Sequence, residues 1–214
     1  MPIQSVPLPA PDWRRGRERP VTLPAVIDIW RIGLADATRV LSETGASGER
    51  DRARAATMAI LAAYLGQPVD ELRLRRPARG KPRLASPPTD LQFNLSHTRG
   101  MALLAIARGV EVGIDVERDR DVPNRLAMAR RVFPAAVADE LARLDDAAQN
   151  HAFLSAWTAM EARQKAFGRG IFERRVEDHD ARAFGFSPAP GWLAHVAVVA
   201  ASKMEFRYFD HTGS

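Results

Sequence analysis

Val112-Gly113-Ile114-Asp115-Val116-Glu117 is the stretch that leaves this chain the fewest options. It is a short apolar run interrupted by two acids two residues apart. In an extended strand, side chains i and i+2 point to the same face, so Asp115 and Glu117 stand side by side. Gly113, Ile114 and Val116 suit a buried strand, which brings both acids to the edge of a core. Two hard oxygen donors on one rigid face can form half of a magnesium site, since that ion accepts one or two carboxylates with phosphates and water. A strand end with solvated charges fits the same residues. An isolated D-x-E does not separate the two readings.

Length and composition narrow the setting. A chain of 214 residues forms one large domain or two small ones, with ample length for a core. No apolar run approaches the ~20 residues needed to span a bilayer, and no apolar segment of signal-peptide type follows the N-terminus. The absence of cysteine excludes disulfides, a thiol nucleophile and cysteine-ligated metal. A cytoplasmic monomer without membrane attachment is the expectation. The net charge of +5 and pI of about 10.3 suit an anionic partner: nucleic acid, a phosphorylated ligand or an acidic protein. Lysine is scarce among the basic residues, occurring only as Lys81, Lys165 and Lys203.

Along the chain, residues 1–20 are rich in proline and arginine and read as a mobile tail. Residues 26–32 read as a strand of β-branched and aromatic residues. A helix follows, with Ser47 as N-cap, Gly66 as C′, and Ala53, Thr57, Ile60, Leu61 and Tyr64 on its apolar face. Arg50 and Arg54 share another face at i, i+4. Residues 66–90 are loop-like, with Arg79-Gly80-Lys81-Pro82 at their centre. Strands are expected at 91–95 and 101–107, with Ser96-His97-Thr98-Arg99-Gly100 as the turn between them. Gly109 then gives a tight connection into the Asp115 strand, making a meander. Helices are expected at 125–132, at 134–144 with Pro134 at N1, and at 147–167, ending near Gly168 and Gly170. Strands return at 194–201 and 204–209. This order gives an N-terminal subdomain of residues 21–109 and a C-terminal one of 110–214.

In the long helix, Trp157, Glu161 and Lys165 recur at i, i+4, i+8 and fall along one side. Leu154 and Trp157 mark the buried face, and Glu161 follows almost directly on it. A glutamate there costs several kcal/mol of desolvation unless it is paired or metal-bound. An ordinary Glu161–Lys165 ion pair satisfies the same spacing. His97 is equally open between a structural hydrogen bond and, with Arg54 and Lys81, a phosphate contact. The histidines show no zinc spacing, and neither a P-loop nor G-x-G-x-x-G is present.

Taken together, the pieces resemble one family. Phe93-Asn94-Leu95-Ser96-His97-Thr98, Gly113-Ile114-Asp115-Val116-Glu117 and Trp157-Thr158-Ala159-Met160-Glu161-Ala162-Arg163-Gln164-Lys165 match, in order, three motifs of the 4′-phosphopantetheinyl transferases, of the two-subdomain type that activates peptide and polyketide synthases. Gly80-Lys81-Pro82 matches a shorter signature ahead of them. The likeness covers about residues 45–175. It implies an α+β (α/β) fold made of a pseudo-twofold pair of similar α/β subdomains, with coenzyme A between them. It implies Mg²⁺ or Mn²⁺ held by Asp115, Glu117 and Glu161, and coenzyme contacts from Arg54, Lys81, Ser96, His97, Asp115 and Lys165. It implies Glu161 and Lys165 as the catalytic pair and an acidic apo acyl or peptidyl carrier protein as partner, with neither nucleic acid nor membrane involved. The attacking serine would be the carrier's, so this chain needs no nucleophile. Two features depart from the family: an arginine common near the end of the first helix is replaced in the region of Ala62 and Ala63, and Met160 stands where lysine is frequent. A lysine at 160 is expected to reach the coenzyme's diphosphate. A coenzyme-A-binding protein without catalysis and a basic nucleic-acid-binding module are the alternatives, though the second leaves three clustered acids unexplained.

Overall fold

The computed structural model describes residues 5–7, 14–15, 26–34, 45–77, 80–168, 181–199 and 204–211, with side chains described except at 5–7, 14–15 and 45–47. Its elements in chain order are β1 (Ser5–Pro7), β2 (Arg14–Arg15), β3 (Val26–Gly33), α1 (Gly45–Leu65), β4 (Arg73–Arg75), β5 (Arg83–Ser86), β6 (Leu91–Thr98), β7 (Met101–Arg108) and β8 (Val112–Arg118). They continue with α2 (Arg125–Val132), α3 (Ala135–Ala142), α4 (Asp146–Ala166), β9 (Ala181–Phe186), β10 (Trp192–Val199) and β11 (Glu205–His211). Arg79, Gly170 and Lys203 lie outside the described residues.

Two sheets carry the fold. One runs β1-β9-β10-β8 and the other β2-β11-β3-β7-β6, with β4 and β5 as a separate hairpin. Alternation along each strand divides its residues between two faces. Ile27 and Ile29, Leu103 and Ala105, Ile114 and Val116, and Val196 and Val198 form one core between the sheets. On the outer face of the five-stranded sheet, α1 buries Ala53, Ala56, Ile60, Leu61 and Tyr64 against Trp30, Phe93 and Leu104. On the outer face of the four-stranded sheet, α4 lays Ala159, Ala162 and Ala166 on Ala183 and Ala197. Helices α2 and α3 pack outside α4 through Phe133, Val137, Leu141 and Phe153. The result is a mixed α+β architecture of two helix-on-sheet halves, joined through the inner faces of their sheets.

Local chemistry explains most boundaries. Helix α1 ends at Gly66, whose φ of 65° is easy only without a Cβ; Gln67 N–H then bonds Ala62 C=O at 3.1 Å and satisfies an end carbonyl. Helix α4 starts where Asp145 accepts from Ala148 N–H at 3.0 Å.

Several expectations need correction. Helix α1 begins at Gly45, ahead of Ser47, and Pro134 is the N-cap of α3, with ψ of 148°, rather than its first helical residue. Residues 5–7 and 14–15 of the expected tail are strands, paired with β9 and β11. The loop-like region 66–90 holds the β4–β5 hairpin. Strand β6 runs on through Thr98, so Ser96 and His97 are strand residues and only Arg99 and Gly100 turn. The meander is interrupted as well: β6 and β7 pair, but β8 leaves for the other sheet, where it pairs with β10. Finally β11, expected in the C-terminal half, pairs in parallel with β3 in the N-terminal one.

Candidate active site

The site forms where β8 and α4 of one half meet β6 of the other. Asp115 and Glu117 face α4, as alternation on β8 requires, and their cross-strand partners on β10 are His195 and Leu193. Gly113 sets the distance between helix and strand. A Cβ there would lie 2.1 Å from Ala162 O and 2.3 Å from Ala166 N, so any larger residue would push α4 away. From the opposite side, Asn94 Oδ1 accepts from Ile114 N–H at 2.8 Å, tying β8 to β6 across the two sheets.

Four of the expected side chains converge. Asp115 is buried at 3% exposure, and its Oδ1 accepts from Ser96 Oγ at 2.9 Å and Lys165 Nζ at 2.5 Å. Lys165 Nζ also donates to Ser96 Oγ at 3.1 Å and lies 3.2 Å from Glu161 Oε2. Glu117 is at the rim, with Arg120 at 3.8 Å. Electrostatics register the crowding. Burial and then the Asp115 charge push Glu161 above the usual carboxylate range, with Lys165 opposing; the same two causes raise Glu117. Burial alone would lower Lys165, but Asp115 and Glu161 hold it above its ordinary value, so it remains an ammonium.

The other expected residues lie apart from this cluster to differing degrees. His97 is exposed; burial of part of its ring, then Arg50 and Lys165, lower its pKa, with Glu49 opposing. That cationic surrounding suits an anion. Arg54 is exposed on α1 and makes no ion pair among the described residues. Lys81 is buried, with Nζ 2.7 Å from Val112 O and 2.7 Å from Glu111 Oε2. Glu111 in turn holds Arg83 at 2.6 Å. Lys81 is thus committed to the start of β8, away from Asp115. Met160 is buried at 8% exposure in the cluster with Phe133, Phe153 and Leu193. It packs as core, which corrects the expectation that a lysine at 160 would reach a diphosphate.

Sequence reasoning passed over Glu111 as a site candidate, quoted Asn94 only as part of a motif, and noted Arg50 only for the helix face it shares with Arg54. It also passed over His195, whose Nδ1 lies 2.7 Å from Thr158 Oγ1 of α4. Nothing local marks Glu111 or His195, because each acts through a partner distant in sequence.

A divalent cation suits the donor set. Asp115 Oδ2 is buried without a hydrogen-bond partner, and two further carboxylates, Glu117 and Glu161, adjoin it, both held above the usual carboxylate range by burial and by the Asp115 charge. Among the described residues, no three or more His, Cys, Asp or Glu side chains are arranged as they stand to hold a metal ion. Among the described residues no helix is long and apolar enough to cross a membrane.

Residues 111–196 match the family model described as the 4′-phosphopantetheinyl transferase superfamily. The chain is 35% identical over 114 residues to the 4′-phosphopantetheinyl transferase HetI of Nostoc sp., an alignment covering 52% of this chain and 48% of that protein. It is 28% identical over 168 residues to a putative 4′-phosphopantetheinyl transferase, slr0495, of Synechocystis sp., covering 72% and 68%. It is 30% identical over 132 residues to the mouse L-aminoadipate-semialdehyde dehydrogenase-phosphopantetheinyl transferase, covering 56% and 43%. The chain thus spans about half the length of the first and third of these relatives and about two thirds of the second.

Proposed function

We propose that the chain, whose residues 111–196 match the 4′-phosphopantetheinyl transferase superfamily model, transfers the 4′-phosphopantetheine group of coenzyme A to a serine of an apo carrier protein, releasing 3′,5′-ADP. The observation that carries this reading is the convergence of Asp115, Glu161, Lys165 and Ser96 at the seam of the two halves, with the three acidic and basic members inside the matched segment.

Phosphoryl transfer asks chiefly for positioning and for charge opposite the developing anion. Asp115, Glu117 and Glu161 would hold Mg²⁺ or Mn²⁺, which when bound polarises the diphosphate and stabilises the leaving oxygen. Lys165 stays charged and supplies the protein's own countercharge. His97, with Arg50 beside it and Arg54 further along α1, offers a cationic surface for the coenzyme's phosphates. Glu161, raised by burial and by Asp115, is a stronger base than a free glutamate and takes the serine proton. The serine oxygen then bonds to the β-phosphorus as the bond to the departing 3′,5′-ADP breaks. A net charge of +5 favours encounter with an acidic carrier.

The test is to incubate the protein with coenzyme A, Mg²⁺ and an apo carrier and to weigh the carrier. A mass gain of one phosphopantetheine is expected, and Asp115→Ala and Glu161→Gln should each slow it by about 100-fold or more. An unmodified carrier under saturating substrates, or near-wild-type rates in either variant, would overturn the reading.

A further inference from the structure

The two oxygens of Asp115 are treated differently by the protein. Oδ1 accepts from Ser96 Oγ at 2.9 Å and from Lys165 Nζ at 2.5 Å, whereas Oδ2 is buried and accepts from neither. Ser96 is itself buried at 6% exposure, and its oxygen receives Lys165 Nζ at 3.1 Å. The hydroxyl therefore uses its one proton on Asp115 and a lone pair on Lys165. It sits at the centre of a fixed triangle, with its proton already committed. The triangle also spans three elements: β6, β8 and α4. We propose that Ser96 is a positioning residue. With Lys165 it fastens Oδ1, fixes the rotation of the Asp115 carboxylate, and leaves Oδ2 as the oxygen that takes a divalent cation. This differs from the coenzyme contact that the sequence resemblance implied for Ser96, and it rests on the proposed reading of Asp115 as a metal ligand. Groups that hydrogen-bond a ligating carboxylate fix its orientation, so losing one weakens metal binding by about tenfold or more.

The experiment titrates Mn²⁺ alone into the full chain and reads free Mn²⁺ by electron paramagnetic resonance, with coenzyme A binding measured separately by calorimetry in EDTA. In Ser96→Ala, the Mn²⁺ dissociation constant should rise by about tenfold or more, while coenzyme A binding in EDTA stays as in wild type. Ser96→Thr keeps the hydroxyl on a strand that accepts β-branched residues and should restore Mn²⁺ binding; it also stands in if the alanine variant fails to fold. In steady-state assays Ser96→Ala should need more Mg²⁺ for half-activation but reach a near-normal kcat at saturation. Unchanged Mn²⁺ binding in Ser96→Ala would overturn the proposal. So would weakened coenzyme A binding in EDTA with Mn²⁺ binding intact, which would make Ser96 a coenzyme contact. A wild-type chain that binds no Mn²⁺ would instead remove the metal reading on which both rest.

Discussion

His97 and Lys81 look alike in sequence, as basic side chains in motifs ahead of the Asp115 strand, and the structure separates them. His97 is exposed among cations, while Lys81 is buried and bound to Glu111 and to the Val112 carbonyl. Burial by itself would raise Glu111, but Lys81 and Arg83 hold it below the usual range, so this pair is a charged clamp on the loop before β5. His97→Ala should therefore raise KM for coenzyme A with kcat nearly kept, because a contact equal in ground and transition states is lost. Lys81→Ala should act first on stability, by about 1–3 kcal/mol, since a buried carbonyl and a carboxylate each lose a donor. Steady-state kinetics beside urea melts decide it. A Lys81→Ala variant of normal stability with only KM raised would return Lys81 to the coenzyme. At this scale the sequence was legible where spacing alone sets the face: Asp115 with Glu117, and Glu161 with Lys165. It was silent on Ser96–Asp115 and Lys81–Glu111, since nothing local records which distant partner a side chain will find.

Among the elements, α4 depends on two contacts with the sheet beneath it, the absence of a side chain at Gly113 and the Thr158–His195 hydrogen bond. Thr158 Oγ1 directs its one proton to the Leu154 and Ser155 carbonyls at 3.0 and 3.1 Å, which leaves His195 Nδ1 as the donor to Thr158. Burial, and then Arg163, push His195 down to about 3. The sign follows: an unfolded chain protonates this histidine as pH falls through about 6.5, and the native chain does not, so stability is full above that value and declines until about pH 3. Wild type should lose about 2 kcal/mol between pH 7.5 and pH 5 from this residue alone, at roughly 1.4 kcal/mol per pH unit. His97 and His211 are lowered too, so the comparison must be with His195→Asn, whose urea midpoints should vary less over that range. An identical pH dependence in the variant would sink the argument. The helices were legible because period and caps are local signals. Strand β9 was not: Ala181-Arg182-Ala183-Phe184-Gly185-Phe186 has no β-branched residue and carries a glycine, and it is a strand because β10 lies beside it.

The whole molecule is closed by its last strand. Asp28, fully buried on β3, accepts from Arg207 Nε and Nη2 at 2.6 and 2.8 Å and from the Tyr64 hydroxyl at 2.5 Å, and Trp30 Nε1 donates to the same hydroxyl at 3.0 Å. Three residues on, the charges are exchanged: Arg31 of β3 grips Asp210 of β11 at 2.7 and 2.8 Å and also donates to Pro188 O. Strand β11 is thereby bound to β3 by ion pairs as well as by the ladder between them. That pairing could not be read from sequence, because parallel strands joined across most of the chain show the same alternation as neighbours joined by a turn. Since one apolar core lies between the two sheets, the halves should unfold as a unit rather than in turn. Arg207→Met tests both points, because it leaves the Asp28 carboxylate buried with its countercharge gone, a change that costs about 3–5 kcal/mol. The urea midpoint should fall accordingly in a single transition. Native-state hydrogen exchange should show the most protected amides of β7 and of β10 losing the same free energy, since global unfolding sets both. If β7 lost protection while β10 kept it, the two sheets would be separate cooperative units, and the returning strand would stabilise only the sheet it joins.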